Sequence, residues 1–181
     1  MAKGSSYERE VCKLLSKWWT DGHTDAVFWR TSNSGGRATV RGSKGTTNQH
    51  GDICATDPVG LPLLRVFALE IKRGYPRSTI HDLIDSDGTP KGSYASWISQ
   101  AKASQKLAGS KSWMILHKRD RREPTVTLPD PIFMNLLHTS GLEKPAPPFA
   151  ITSYGADVLA TIRLDAFLSN ITPLAVAVLG K

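Results

Sequence analysis

Apolar residues recur through the first twenty positions at helical intervals. Tyr7, Val11, Leu14, Leu15, Trp18 and Trp19 share one side, with Ser5 placed as an N-cap, and together they predict an opening helix. AVFWR (26–30) then reads as a short strand, and the twenty residues TSNSGGRATVRGSKGTTNQH follow with no period. A gap of that length inside a compact domain is either functional or unstructured. ICAT and LLRVFALEIK are two strand-like runs joined through DPVGLP, whose Asp-Pro and Gly carry turn chemistry, so they predict a β-hairpin.

The polar stretch PRSTIHDLIDSDGTPKG is broken by Pro and Gly and reads as loop. From Tyr94 the positions Tyr94, Trp97, Ile98, Ala101 and Ala108 fall on one helical face and Lys102 and Lys106 on another, predicting a second amphipathic helix with a basic side. SWMILHK (112–118) is a strand that TVTL can pair with, and PIFMNLLHTS is a short helix before the linker-like GLEKPAPP. The remainder mixes strand-like and helical pieces and is too short for a separate domain. These elements predict an α/β fold with a central mixed β-sheet, the opening helix on one face and the Trp97 helix on the other. They form one domain over 1–181, with a core of about 3–128 and a C-terminal extension of about 129–181.

Composition changes this picture in one respect. The 181 residues are 40% hydrophobic and 22% charged, which is ordinary for a globular chain, but 23 Lys+Arg against 16 Asp+Glu leave a net charge of +7. That surplus favours a polyanion, nucleic acid before membrane. Cys12 and Cys54 have neither a disulfide framework nor zinc-site spacing and read as reduced and structural. MAKGSSYERE has no apolar signal core and LAVAVLG is too short to span a bilayer, so a cytoplasmic location is expected. No glycine-rich motif for a nucleotide cofactor is present.

The candidate chemistry lies in FALEIKRG and GDICA. Alternation along a strand sends Glu70 and Lys72 to one face and Phe67, Leu69 and Ile71 to the other. If the two strand-like runs pair, Asp52 returns to the neighbourhood of Glu70 and Lys72. Two carboxylates and one ammonium suit a hard divalent cation shared with a phosphate: Mg²⁺, with Mn²⁺ as the alternative. Asp52 and Glu70 would be its ligands and the carbonyl of Ile71 a third donor. Lys72 would orient or deprotonate a water and stabilise charge on the phosphate. The plain alternative is a surface salt bridge between Glu70 and Lys72, worth about 0–1 kcal/mol.

In this order, a helix carrying KGSSYEREVCKLL, then SNSGGR, GDICA and FALEIKRG, the chain resembles the PD-(D/E)XK nuclease superfamily, in particular archaeal-type and phage Holliday-junction resolvases. The resemblance covers roughly residues 3–75. It implies a restriction-endonuclease-like core and a catalytic set of Glu8, Asp52, Glu70 and Lys72, with Glu8 reaching the metal through water. It also implies a homodimer that cuts DNA at branched structures, working in recombination or repair in a prokaryotic or phage-infected cell. Periodicity hardly separates Glu8 from Glu10. Ser5-x-x-Glu8 has the spacing of a capping box, and Glu10 can pair with Lys13.

Between Ala26 and Gly51 there is no acidic residue, yet Arg30, Arg37, Arg41 and Lys44 stand there among Gly, Thr and serines such as Ser34. Small hydroxyls, backbone amides and arginine forks suit phosphates, so this segment reads as a DNA-gripping arm. Arg73 and Arg77 beyond the strand, and Lys118, Arg119, Arg121 and Arg122 in KRDRRE, extend the footprint. Two rivals stay open: an endonuclease of the same superfamily acting on linear DNA, and a basic binding module without catalysis.

Overall fold

The computed structural model describes residues 3–31, 50–85, 93–143 and 148–181. Helix α1 (Lys3–Trp19) buries Tyr7, Val11 and Leu15 of the expected stripe, with Cys12 beside them, while Leu14 of that stripe turns outward. Trp18 and Trp19 pack at the rim of the core and satisfy their indole N–H groups on the carbonyls of Ile171 and Val59. Because the helix already begins at Lys3, Ser5 lies inside it and not at the N-cap.

The predicted hairpin is corrected. Strand β1 (Phe28–Arg30) pairs antiparallel with β2 (Ile53–Ala55), Arg30 opposite Ile53, as a separate two-stranded ribbon. Between β2 and the next strand the chain does not turn back as a hairpin. A 3₁₀ turn over Pro58–Gly60, capped by the Asp57 carboxylate on the Val59 N–H at 2.9 Å, leads into helix α2 (Leu61–Val66). Pro58 and Pro62 stand in the first turns of these two pieces, where a missing N–H costs nothing. The run LLRV that resembles strand is therefore helix. It still buries Leu63, Leu64 and Val66, which is why its apolarity alone could not tell helix from strand.

Strand β3 (Phe67–Arg73) opens a five-stranded sheet with β4 (Ser112–Lys118), β5 (Thr125–Pro129), β6 (Phe149–Tyr154) and β7 (Asp157–Arg163), in the order β3-β4-β5-β7-β6. Among the described residues only β3 and β4 run parallel. Helix α3 (Ser93–Ala108) makes the long crossover such a pair requires. Helices α4 (Asp130–Thr139), α5 (Leu164–Asn170) and α6 (Pro173–Leu179) complete the chain. The fold is thus α/β with a mixed central sheet between helices, as expected. The segment after residue 129 supplies two of the five strands.

The two faces of the sheet carry separate cores. Phe67, Leu69, Ile71, Met114, Leu116, Val126 and Ile162 pack with α1, α4 and α5, whereas Trp113, Ile115 and Leu159 pack with Tyr94, Trp97, Ile98 and Ala101 of α3. Glu70 and Lys72, alternating with the first set, therefore face α3. Among the described residues no helix is long and apolar enough to cross a membrane.

Candidate active site

β3 lies at one edge of the sheet, so one side of its backbone has no neighbouring strand of that sheet. The chain entering β2 fills part of this edge. The Asp52 N–H donates to the Leu69 carbonyl at 2.8 Å, and the Asp52 Oδ2 accepts the Ile71 N–H at 2.7 Å. Asp52 thus reaches Glu70 and Lys72 by clipping onto an open strand edge, not by hairpin pairing. A strand residue points its N–H and C=O to the same side, so the Ile71 carbonyl also faces the Asp52 side, where a third oxygen donor was expected.

Gly51 makes this approach possible. Its φ is +101°, and a Cβ there would stand 2.8 Å from the Leu69 carbonyl oxygen. Gly51→Ala is therefore expected to destabilise the protein by about 2–4 kcal/mol and to detach Asp52 from β3. Thermal unfolding checks the first outcome, and loss of exchange protection at the Ile71 amide the second.

Glu70 is 1% exposed, an environment that a carboxylate tolerates only with partners. Its Oε2 accepts from Lys72 Nζ at 3.0 Å and its Oε1 from the Ser104 hydroxyl at 2.7 Å, while Lys72 Nζ also donates to Gln100 Oε1 at 2.8 Å. Gln100 and Ser104 are one turn apart on α3 and so stand together over β3. Neither was anticipated from the sequence. The signal was their four-residue spacing beside the apolar face of α3, legible only once that face is known to cover Glu70. Ser104→Ala leaves a buried carboxylate oxygen without its donor and is expected to cost about 1–3 kcal/mol, read by denaturant unfolding.

Of the two acids on α1, Glu8 turns inward. It is 9% exposed and its Oε2 accepts from Arg30 Nε at 2.9 Å. Glu10 points outward to Lys118 Nζ at 3.2 Å and not to Lys13, which pairs with Asp25. Asp52 feels the charges of both Glu70 and Glu8. Burial above all, then the charge of Glu70, pushes the Asp52 pKa up to about 6, against the Ile71 N–H and Lys72, which lower it; Glu8 adds to the rise.

Among the described residues no three His, Cys, Asp or Glu side chains form a complete metal cage. The donors nonetheless suit a hard cation. Asp52, Glu70 and the Ile71 carbonyl supply oxygen only, and Mg²⁺ takes one or two carboxylates while keeping several waters. The raised Asp52 pKa comes first from burial and then from the neighbouring Glu70 charge, and a divalent cation bound there would favour the ionised carboxylate.

A family model described as "Phage putative PDDEXK endonuclease" matches residues 1–177. The chain belongs to this family. Among solved structures, one described as the 1.6 Å structure of Archaeoglobus fulgidus Hjc, a Holliday junction resolvase from an archaeal hyperthermophile, is 15% identical. The match covers 97% of this chain and 99% of that one with a TM-score of 0.39. No curated protein matches.

The other expected contact residues of this PDDEXK chain divide into two groups. Arg30 holds Glu8, and Arg73 lies over the ring of Tyr7, its guanidinium carbon 5.5 Å from the centroid. Ser34, Arg37, Arg41 and Lys44 lie outside the described residues. His117, buried opposite Lys72 on β4 and packed edge-on to Trp97, has its pKa lowered to about 4 by burial first and by Arg119 second. It is thus neutral at physiological pH.

Proposed function

We propose that the protein is a divalent-metal-dependent endonuclease that hydrolyses DNA phosphodiester bonds at Asp52, Glu70 and Lys72, with Glu8 at the flank of the site. The observation that carries this reading is the bond from the Ile71 N–H to Asp52 Oδ2, which puts two carboxylates and one ammonium at a single strand edge. Asp52, Glu70 and the Ile71 carbonyl would hold Mg²⁺ or Mn²⁺. Bound there, the cation would polarise a phosphoryl oxygen and lower the pKa of a bound water.

The chain's own residues do the rest. Lys72 offers its ammonium to the attacking water or to the phosphate oxygen that gains charge, and Gln100 keeps it aimed when Glu70 is otherwise engaged. Ser104 holds the Glu70 carboxylate in one orientation. Arg30 and Arg73, with Ser34, Arg37, Arg41 and Lys44, supply the DNA contacts in this reading.

The substrate is read as branched DNA, cut by a homodimer. What supports it is the likeness of KGSSYEREVCKLL, SNSGGR, GDICA and FALEIKRG, in that order, to Holliday-junction resolvases. A four-way junction and a linear duplex of matching sequence, each given to the purified protein with Mg²⁺, test it. Preferential cutting of the junction is expected. Equal cutting would remove the branched substrate and leave a linear-DNA endonuclease, and no cutting of either would remove the nuclease reading.

A further inference from the structure

Arg73 and Lys118 are register partners at the far ends of the parallel strands β3 and β4, on the α1 face of the sheet. Both cations lie over one ring. The Arg73 guanidinium carbon is 5.5 Å and Lys118 Nζ 5.3 Å from the centroid of Tyr7, itself only 1% exposed. The ring thus gathers two like charges that would otherwise move apart into water. Among the described residues Glu10 opposes them: it accepts from Lys118 at 3.2 Å, with 58% of its side chain exposed against 25% for Lys118. Just beyond, Gly74 turns the chain away at φ +85°, and a Cβ there would meet nothing within 4 Å, so the strand ends stay open.

We propose that Arg73 and Lys118, mounted on Tyr7, form a subsite for a DNA backbone phosphate flanking the bond that is cut. The inference rests on the reading of the chain as a DNA nuclease and adds where the strand is gripped. An arginine fork and a lysine ammonium side by side match the oxygens of one phosphate diester. Lys72 precedes Arg73 and points to the opposite face, so a backbone crossing the end of β3 meets the cutting site and the subsite in turn. Glu10 acts against the incoming anion and so sets the affinity. Lys118 exchanges Glu10 for phosphate when DNA arrives.

The test is fluorescence anisotropy with a labelled linear duplex across a salt series, in EDTA so that no bond is metal-dependently cut. Lys118→Gln and Arg73→Gln are each expected to weaken binding about three- to tenfold and to reduce the salt slope by about 0.9. Glu10→Gln is expected to tighten binding about threefold, a gain that misfolding cannot produce. Wild-type affinity and slope in Glu10→Gln and Lys118→Gln overturn the subsite, and they do so alone if the wild type still cuts DNA in Mg²⁺. A wild type that neither binds nor cuts DNA overturns the subsite together with the nuclease reading.

Discussion

Lys72→Ala is expected to lower DNA cleavage by about 10³-fold or more, since it removes both a charge on the reacting phosphate and the group that orients water. Part of any loss could come from the fold. Glu70 is 1% exposed, and deleting its cationic partner costs about 3–5 kcal/mol by leaving a buried charge unpaired. Lys72→Arg separates the two effects. It keeps a cation beside Glu70 and so keeps the fold, but a guanidinium does not give up a proton and its fork is wider than an ammonium. Cleavage by Lys72→Arg is expected to stay at least about 10²-fold down, with DNA binding retained. Near wild-type cleavage by Lys72→Arg would reduce the Glu70–Lys72 pair to a salt bridge.

Asp52→Asn is expected to abolish cleavage to a similar extent while stabilising the metal-free protein at neutral pH. The folded state holds Asp52 at a pKa of about 6, above the usual carboxylate value of 3.8. Its contribution is therefore fully present below pH 3.8 and is lost as pH rises through 6. At pH 8 the ionised Asp52 costs on the order of 3 kcal/mol, which Asn does not incur while still accepting the Ile71 N–H.

His117 has the opposite sign. Its pKa falls from 6.5 to about 4, so its contribution is present above 6.5 and is lost as pH drops towards 4. The two nearly cancel between pH 4 and 6 in the wild type. Asp52→Asn is expected to expose the His117 slope, giving a Tm that rises with pH over that window, measured without added metal. A Tm unchanged or lowered by Asp52→Asn at pH 8 would contradict the cost assigned to an ionised Asp52 buried beside Glu70.

The convergence of Asp52, Glu70 and Lys72 was legible in the sequence, but the route to it was not. Strand alternation put Glu70 and Lys72 on one face because that rule depends only on the strand's existence, and β3 from Phe67 onward obeys it. The hairpin failed because Leu63, Leu64 and Val66 bury equally well as helix, and prolines at 58 and 62 favour a helical start. Asp52 arrives through Gly51, whose positive φ and contact with Leu69 are tertiary facts with no local period.

Gln100 and Ser104 were missed for a related reason. Two polar residues on an amphipathic helix carry no chemistry until the strand beneath them is known. Periodicity could not separate Glu8 from Glu10, since both flank the apolar stripe; what differs between them, burial and a contact with Arg30 against one with Lys118, is tertiary. The charge of +7, by contrast, indicated an anionic partner without any fold at all.

The central claim is that Asp52, Glu70 and Lys72 act together on a divalent cation and a DNA phosphate. Its most direct test is cleavage of a labelled four-way junction by wild type and Asp52→Asn, with and without Mg²⁺. Cutting by the wild type only when Mg²⁺ is present, and none by a folded, DNA-binding Asp52→Asn, is the predicted result. Metal-independent cutting, or undiminished cutting by Asp52→Asn, would contradict it.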